Sequence, residues 1–157
     1  MSRFDKIPLY LSWTNESVNE VLINKLCNDF SNLVKYKVIN SPWVPGVVEL
    51  ISHLNYIGNN CFIVTATPQD EIIEILHELK LHSLFKEVIG APTNKSDAIK
   101  LIIEKYKILK DEAVMLGDSK TDLIAARNSN IDFILRKTDE NKALQDNLQS
   151  EMIDDFL

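Results

Sequence analysis

Apolar positions along this chain recur first at helical spacing and then in an alternation of helical stripes with short continuous runs. Val18, Val21, Leu22, Leu26, Phe30 and Leu33 share one helical face, and Ser17 with Glu20 has capping-box spacing, so one amphipathic helix is predicted over 17–36. Ahead of it, residues 1–15 keep no period, and Pro8 is expected to interrupt any regular element. After it, "INSPWVPG" places two prolines within four residues, which ends the helical pattern and marks a connector. Pro45 then suits a first helical turn, with Val47, Leu50, Ile51, Leu54 and Ile57 as an apolar stripe and Gly58 as the stop. "CFIVT" reads as a strand by composition. The alternation continues: a helix over 69–80, a strand near 87–89, a helix over 96–107, a strand over 113–116, a helix over 120–129, a strand over 131–135 and a last helix from about 139. Strands alternating with helices predict an α/β fold, a three-layer Rossmann-like parallel sheet covered on both faces.

Sheets of that kind bind ligands at the carboxyl ends of their strands. The residues that fall there share a chemistry. "CFIVTATP" supplies Thr65, Ala66 and Thr67, the next strand is followed by "GAPTNKSD", and the third by "GDSKTD". A hydroxyl, an amine and two carboxylates thus face one crevice. Asp118 and Asp122 suit magnesium, which prefers oxygen ligands, keeps several waters and is commonly held by one or two carboxylates plus a substrate phosphate. Their structural alternative is that Asp118 caps the following helix and Asp122 decorates its first turn. Lys95 opens a predicted helix, where the dipole disfavours a cation unless an anion lies nearby; a phosphate is one such anion, and a solvated surface lysine is the alternative. Thr65 has a hydroxyl to offer a phosphoryl oxygen, assisted by the Ala66 amide, or is simply a β-branched strand end. Thr67 before Pro68 reads as a helix N-cap. Trp43 is expected to pack the connector onto the core. His53, His77 and His82 lack metal-ligand spacing and are expected at the surface or its boundary.

Bulk properties narrow the classes further. A chain of 157 residues, 45% hydrophobic, fits one domain, or one domain with a small appendage. A formal charge of −6 with no basic stripe argues against nucleic acid. No apolar run reaches the roughly 20 residues of a membrane span, and "MSRFDKIPLYLSW" lacks the pattern of a signal peptide, so a cytoplasmic location without membrane partners is expected. Cys27 and Cys61 read as buried thiols rather than a disulfide or metal pair.

Thr65 in "FIVTATP", Lys95 in "GAPTNKSDAI" and Asp118 with Asp122 in "GDSKTDLIAA" occur in the order of the second, third and fourth motifs of the haloacid dehalogenase-like hydrolases. Over roughly residues 40–136, with "VPGVVELISHL" leading in, the chain resembles the helical-cap branch that contains phosphoglycolate phosphatases and β-phosphoglucomutases. The resemblance implies that Thr65 binds the transferred phosphoryl group, Lys95 neutralises charge around it, and Asp118 and Asp122 hold Mg2+ directly or through water. The substrate class implied is a small phosphorylated metabolite.

One motif of that family is missing. Its members begin with an apolar strand ending in Asp-x-Asp, whose first Asp attacks phosphorus and whose second serves as acid and base. Here no two aspartates stand two residues apart. Asp5 in "RFDKIPLY" is a poor substitute, with Ile7 and Pro8 at the following positions. Residues 1–38 resemble instead the second half of the helical cap, with 39–157 as the α/β core, and Arg3 in "SRFDK" matches a cap segment that faces substrate. The resemblance therefore implies a truncated framework without its central nucleophile strand. Three readings follow: an incomplete Mg-dependent phosphohydrolase, a non-catalytic module that binds phosphate and magnesium, or a subunit completed by a partner strand. Losing a central strand leaves two edges with unpaired backbone groups, so closure of the two halves, a homodimer or a strand-donating partner is expected to cover them.

Overall fold

The computed structural model describes residues 3–14 and 19–157. The chain divides into two units, Met1–Ser41 and Pro42–Leu157. The first holds α1 (Arg3–Leu11) packed on α2 (Glu20–Ile39). Pro8 lies inside α1, where the sequence pointed to a break. In so short a helix a proline removes a single intrahelical bond, and the Pro8 carbonyl still accepts from the Ser12 amide at 2.9 Å. α2 starts and stops three residues later than predicted. Its N-cap is Asn19, whose side chain accepts from the Leu22 amide at 2.9 Å; Ser17, the expected cap, falls outside the described residues.

The second unit alternates strands and helices. α3 (Val47–Tyr56) begins after Gly46 rather than at Pro45, and Gly58, in the left-handed region at φ 87°, follows its end as expected. There follow β1 (Phe62–Pro68), α4 (Gln69–Glu78), β2 (Glu87–Ala91), α5 (Lys95–Tyr106), β3 (Val114–Gly117), α6 (Lys120–Ser129) and β4 (Asp132–Arg136). The predicted last helix is instead a 3-10 turn at Asp139–Asn141, the single-turn α7 (Lys142–Gln145) and a strand, β5 (Glu151–Ile153). Only pairing with β4 makes "EMI" a strand, because three residues carry too little local preference. Trp43 is half exposed.

All strand pairs are parallel, in two ladders: β1 with β2, and β3 with β4 and β5. No ladder joins β1 to β3 among the described residues. α4 packs on β1 and β2, α6 on β3 and β4, and α5 on both α6 and β1. Ile99, Met115, Leu123, Phe133 and Leu135 form the centre of the core, with Val64 of β1 packed against it, so the two ladders share one interior. β3 is buried unevenly: Met115 is enclosed, while Val114 and Leu116 are 52% and 41% exposed. No helix among the described residues is long and apolar enough to cross a membrane.

Candidate functional site

The carboxyl ends of β2 and β3 are joined by one ion pair. β2 gives way to a turn in which Asn94 caps α5, its side chain accepting from the Asp97 amide at 3.0 Å. Lys95 is therefore the first residue of α5. β3 ends at Gly117, and Ser119 caps α6 through a full capping box: its hydroxyl accepts from the Asp122 amide at 3.3 Å, and its own amide donates to Asp122 Oδ2 at 3.1 Å. The Ser119 hydroxyl also donates to that oxygen at 2.6 Å. The second oxygen, Oδ1, accepts from Lys95 Nζ. Asp122 is 4% exposed, so its charge is matched by a cation and hydrogen-bonded at both oxygens, as a buried carboxylate requires.

This arrangement revises two sequence readings. The anion that a lysine at a helix start calls for is Asp122, supplied by the protein itself. The residue that caps α6 is Ser119, so the purely structural explanation of Asp118 falls away. Gly117, the last residue of β3, is needed for room: a Cβ there would lie 2.5 Å from Asp122 Cβ and 2.8 Å from Oδ2.

Asp118 itself is exposed, and its carboxylate has no hydrogen-bond or ion-pair partner among the described residues. Its main chain is held, since the Asp118 carbonyl accepts from Asn141 Nδ2 at 2.8 Å. An exposed carboxylate on a fixed backbone, beside a second carboxylate already charge-matched by lysine, fits a cation that takes one or two protein oxygens and keeps its waters. It does not make a closed cage, because no group of three or more candidate ligands occurs among the described residues. His53 and His77 are exposed, and His77 stacks on the half-buried His82 at 4.5 Å.

Thr65 lies where β1 leaves its ladder. The register slips between Val64 and Pro68, and the Thr65 hydroxyl accepts from the Thr67 amide and donates to the Thr67 hydroxyl, both at 3.1 Å. Thr67 is thereby occupied within the strand end and does not cap α4, whose N-cap is Pro68. Ala66 is exposed at the crest of this bulge. Gln69 replaces the missing ladder bonds: its Nε2 donates to the Val88 carbonyl at 3.0 Å, and its Oε1 accepts from the Gly90 amide at 2.6 Å. Arg3 opens α1, but its side chain falls outside the described residues; Asp5 sits within α1, not after a strand. The structure thus brings Lys95 and Asp122 into contact, sets Asp118 four residues before Asp122 and leaves Thr65 at its own strand end. Sequence reasoning missed Gln69 and Asn141, whose roles depend on partners 19 to 23 residues away.

Comparison with known proteins places the chain in a family. The family model for haloacid dehalogenase-like hydrolases matches residues 8–136. A phosphoglycolate phosphatase of Vibrio vulnificus is 31% identical over 110 residues, 67% of this chain and 47% of that protein. One of Psychrobacter arcticus is 34% identical over 95 residues, 57% of this chain and 41% of its own. The chain spans less than half the length of these relatives. Among solved structures, CbbY from Rhodobacter sphaeroides in complex with phosphate superposes with a TM-score of 0.79 at 15% identity, covering 99% of this chain and 73% of that one. A haloacid dehalogenase-like hydrolase from Streptococcus pneumoniae gives 0.69 at 19%, covering 87% and 67%. With the family model spanning most of its length and a phosphatase framework recurring among its relatives, this chain belongs to the haloacid dehalogenase-like hydrolases.

Proposed function

We propose that the carboxyl ends of β1, β2 and β3 form the phosphate-handling half of a magnesium-dependent phosphohydrolase acting on a small phosphorylated metabolite. The observation that carries this reading is the Lys95–Asp122 pair, its aspartate four residues after an exposed Asp118 whose carboxylate has no partner among the described residues. Asp118 would hold the cation directly. Asp122, with both oxygens occupied, would bear on it through water and orient Lys95. Thr65 and the Ala66 amide would receive phosphoryl oxygens, which needs only a turn of the threonine hydroxyl away from Thr67. Magnesium would supply neutralisation of phosphate charge; phosphoryl transfer depends mainly on positioning and such stabilisation. Arg3 would be a substrate contact from residues 1–38, read as part of a helical cap.

The nucleophile is the missing part. No strand among the described residues ends in Asp-x-Asp, and no such pair exists in the sequence. The chain by itself is therefore expected to bind but not turn over. A second reading, a subunit completed by a strand from elsewhere, is favoured by the lack of any ladder between β1 and β3 among the described residues. The test is magnesium-dependent hydrolysis of sugar and organic-acid phosphates by this chain and by a version extended upstream of Met1. Turnover confined to the extended version supports the reading. Turnover by the chain alone that survives Asp118→Ala refutes the site.

A further inference from the structure

Asn141 is a buried side chain to which the phosphate-handling reading gives no task. Its amide is saturated. Nδ2 donates to the Asp118 carbonyl at 2.8 Å and to the Arg136 carbonyl at 2.9 Å, while Oδ1 accepts from the Thr138 amide at 3.0 Å and from Gln145 Nε2 at 2.6 Å. A primary amide offers two donors and two acceptor sites, so nothing is left over. The two ends do different work. The Oδ1 side is local and closes the 3-10 turn at Asp139–Asn141. The Nδ2 side reaches 23 residues back in sequence and ties together the points where β3 and β4 stop: the last ladder pair is Gly117 with Leu135, and the two carbonyls it binds belong to the next residues, Asp118 and Arg136.

That position matters because no other hydrogen bond to Asp118 is found among the described residues. Its carboxylate has no partner among the described residues, the ladder ends one residue before it and the capping box begins one residue after it. We propose that Asn141 is the positioning residue of the cation site, fixing the Asp118 peptide so that its carboxylate is presented to a divalent cation. This rests on the reading of Asp118 as the cation ligand. Asn141 touches neither cation nor substrate; it acts through the main chain of the residue that does, and outer partners of metal ligands commonly set affinity in this way.

The experiment measures magnesium binding to the whole chain by calorimetry, without an activity assay. Asn141→Asp keeps an oxygen for the Thr138 amide but turns an acceptor toward two carbonyls, cutting the tether while sparing the cap. It is expected to weaken magnesium binding about tenfold or more. Gln145→Leu, which removes the Gln145 bonds to the Thr138 carbonyl and Asn141 Oδ1 without touching Asp118, is expected to lower the melting temperature and leave magnesium affinity within about twofold. If Asn141→Asp does not fold, Asn141→Ser, neutral and smaller, takes its place with the same expected weakening. Magnesium binding that Asp118→Asn abolishes but the Asn141 variants leave intact overturns the positioning role alone. Binding indifferent to Asp118→Asn overturns both that role and the cation reading beneath it.

Discussion

The Lys95–Asp122 pair provides the sharpest energetic test of the site. The Asp122 side chain is 6% exposed and that of Lys95 21%, so the pair is largely removed from water, although its cationic end remains accessible. Breaking a buried pair by removing one partner typically costs about 3–5 kcal/mol. Lys95→Met falls below that range, at about 2–3 kcal/mol, because Asp122 Oδ2 keeps its two bonds from Ser119 and water can reach the space the ammonium leaves. Asp122→Asn keeps an acceptor for Ser119 but sets an amide donor against the ammonium, and is expected to cost about 3 kcal/mol. The double variant leaves no uncompensated charge. It is expected to be destabilised by only about 2–3 kcal/mol, a coupling of similar size. Urea unfolding of the four proteins, with slopes compared to verify a common transition, measures each quantity. Single costs that add to the double within about 0.5 kcal/mol would mean the two side chains do not interact, and the site as described would be wrong.

Two further changes probe the second unit away from the ion pair. Gly46 lies at φ +77°, and a Cβ there would stand 2.5 Å from the Phe156 carbonyl oxygen. Gly46→Ala should therefore cost about 1–2 kcal/mol for the left-handed backbone plus a steric part, and deleting Phe156 and Leu157 should remove only the second; equal costs in both backgrounds would refute the close approach. The Cys61 thiol is pushed above its usual pKa by burial. The unfolded chain then ionises first as pH rises, so this group's contribution to stability is complete below the unfolded value of about 8.5 and is lost above it through the folded value. Alkylation of Cys61 at pH 8 should be slower in the native chain than in urea, read peptide by peptide by mass spectrometry; equal rates would exclude the burial effect.

Sequence patterning located most of the second unit because its helices and strands carry their own signals. α6 falls on 120–129 as predicted, bounded by a capping serine and by Asn130 in the left-handed region. Where signals were tertiary, the reading failed. β5 is a strand only because β4 offers it an edge, and α1 is helical through a proline whose cost so short a helix absorbs. At the site, residue types and order were legible, but not how the charges are shared. Lys95 could be seen to need an anion; that the anion is Asp122 depends on the packing of α5 against α6. The Thr67–Pro68 cap was lost to the bulge that carries β1 on to Pro68, which no local pattern announces.

The two ladders leave a question that backbone exchange can answer. In a parallel sheet the amides of a strand point alternately to its two neighbours, so a strand paired on both sides protects consecutive amides and an edge strand only every second one. β4 is paired with both β3 and β5 at Ile134 and Leu135, and consecutive protection is expected there. Among the described residues β3 is paired with β4 alone, and the exposure of Val114 and Leu116 shows that one of its faces is uncovered as well. Alternate protection is expected across Val114–Gly117 and, on the other ladder, across Phe62–Val64. An apolar strand with an open edge and an open face is a template for another strand. If the chain acquires such a strand from a second copy, protection of β3 should become consecutive as concentration rises. If it acquires one from another polypeptide, dilution will leave the alternate pattern unchanged and only that polypeptide will fill it. Consecutive protection of β3 in the isolated chain at high dilution would contradict the two-ladder fold itself, and with it the inference that the framework lacks a central strand.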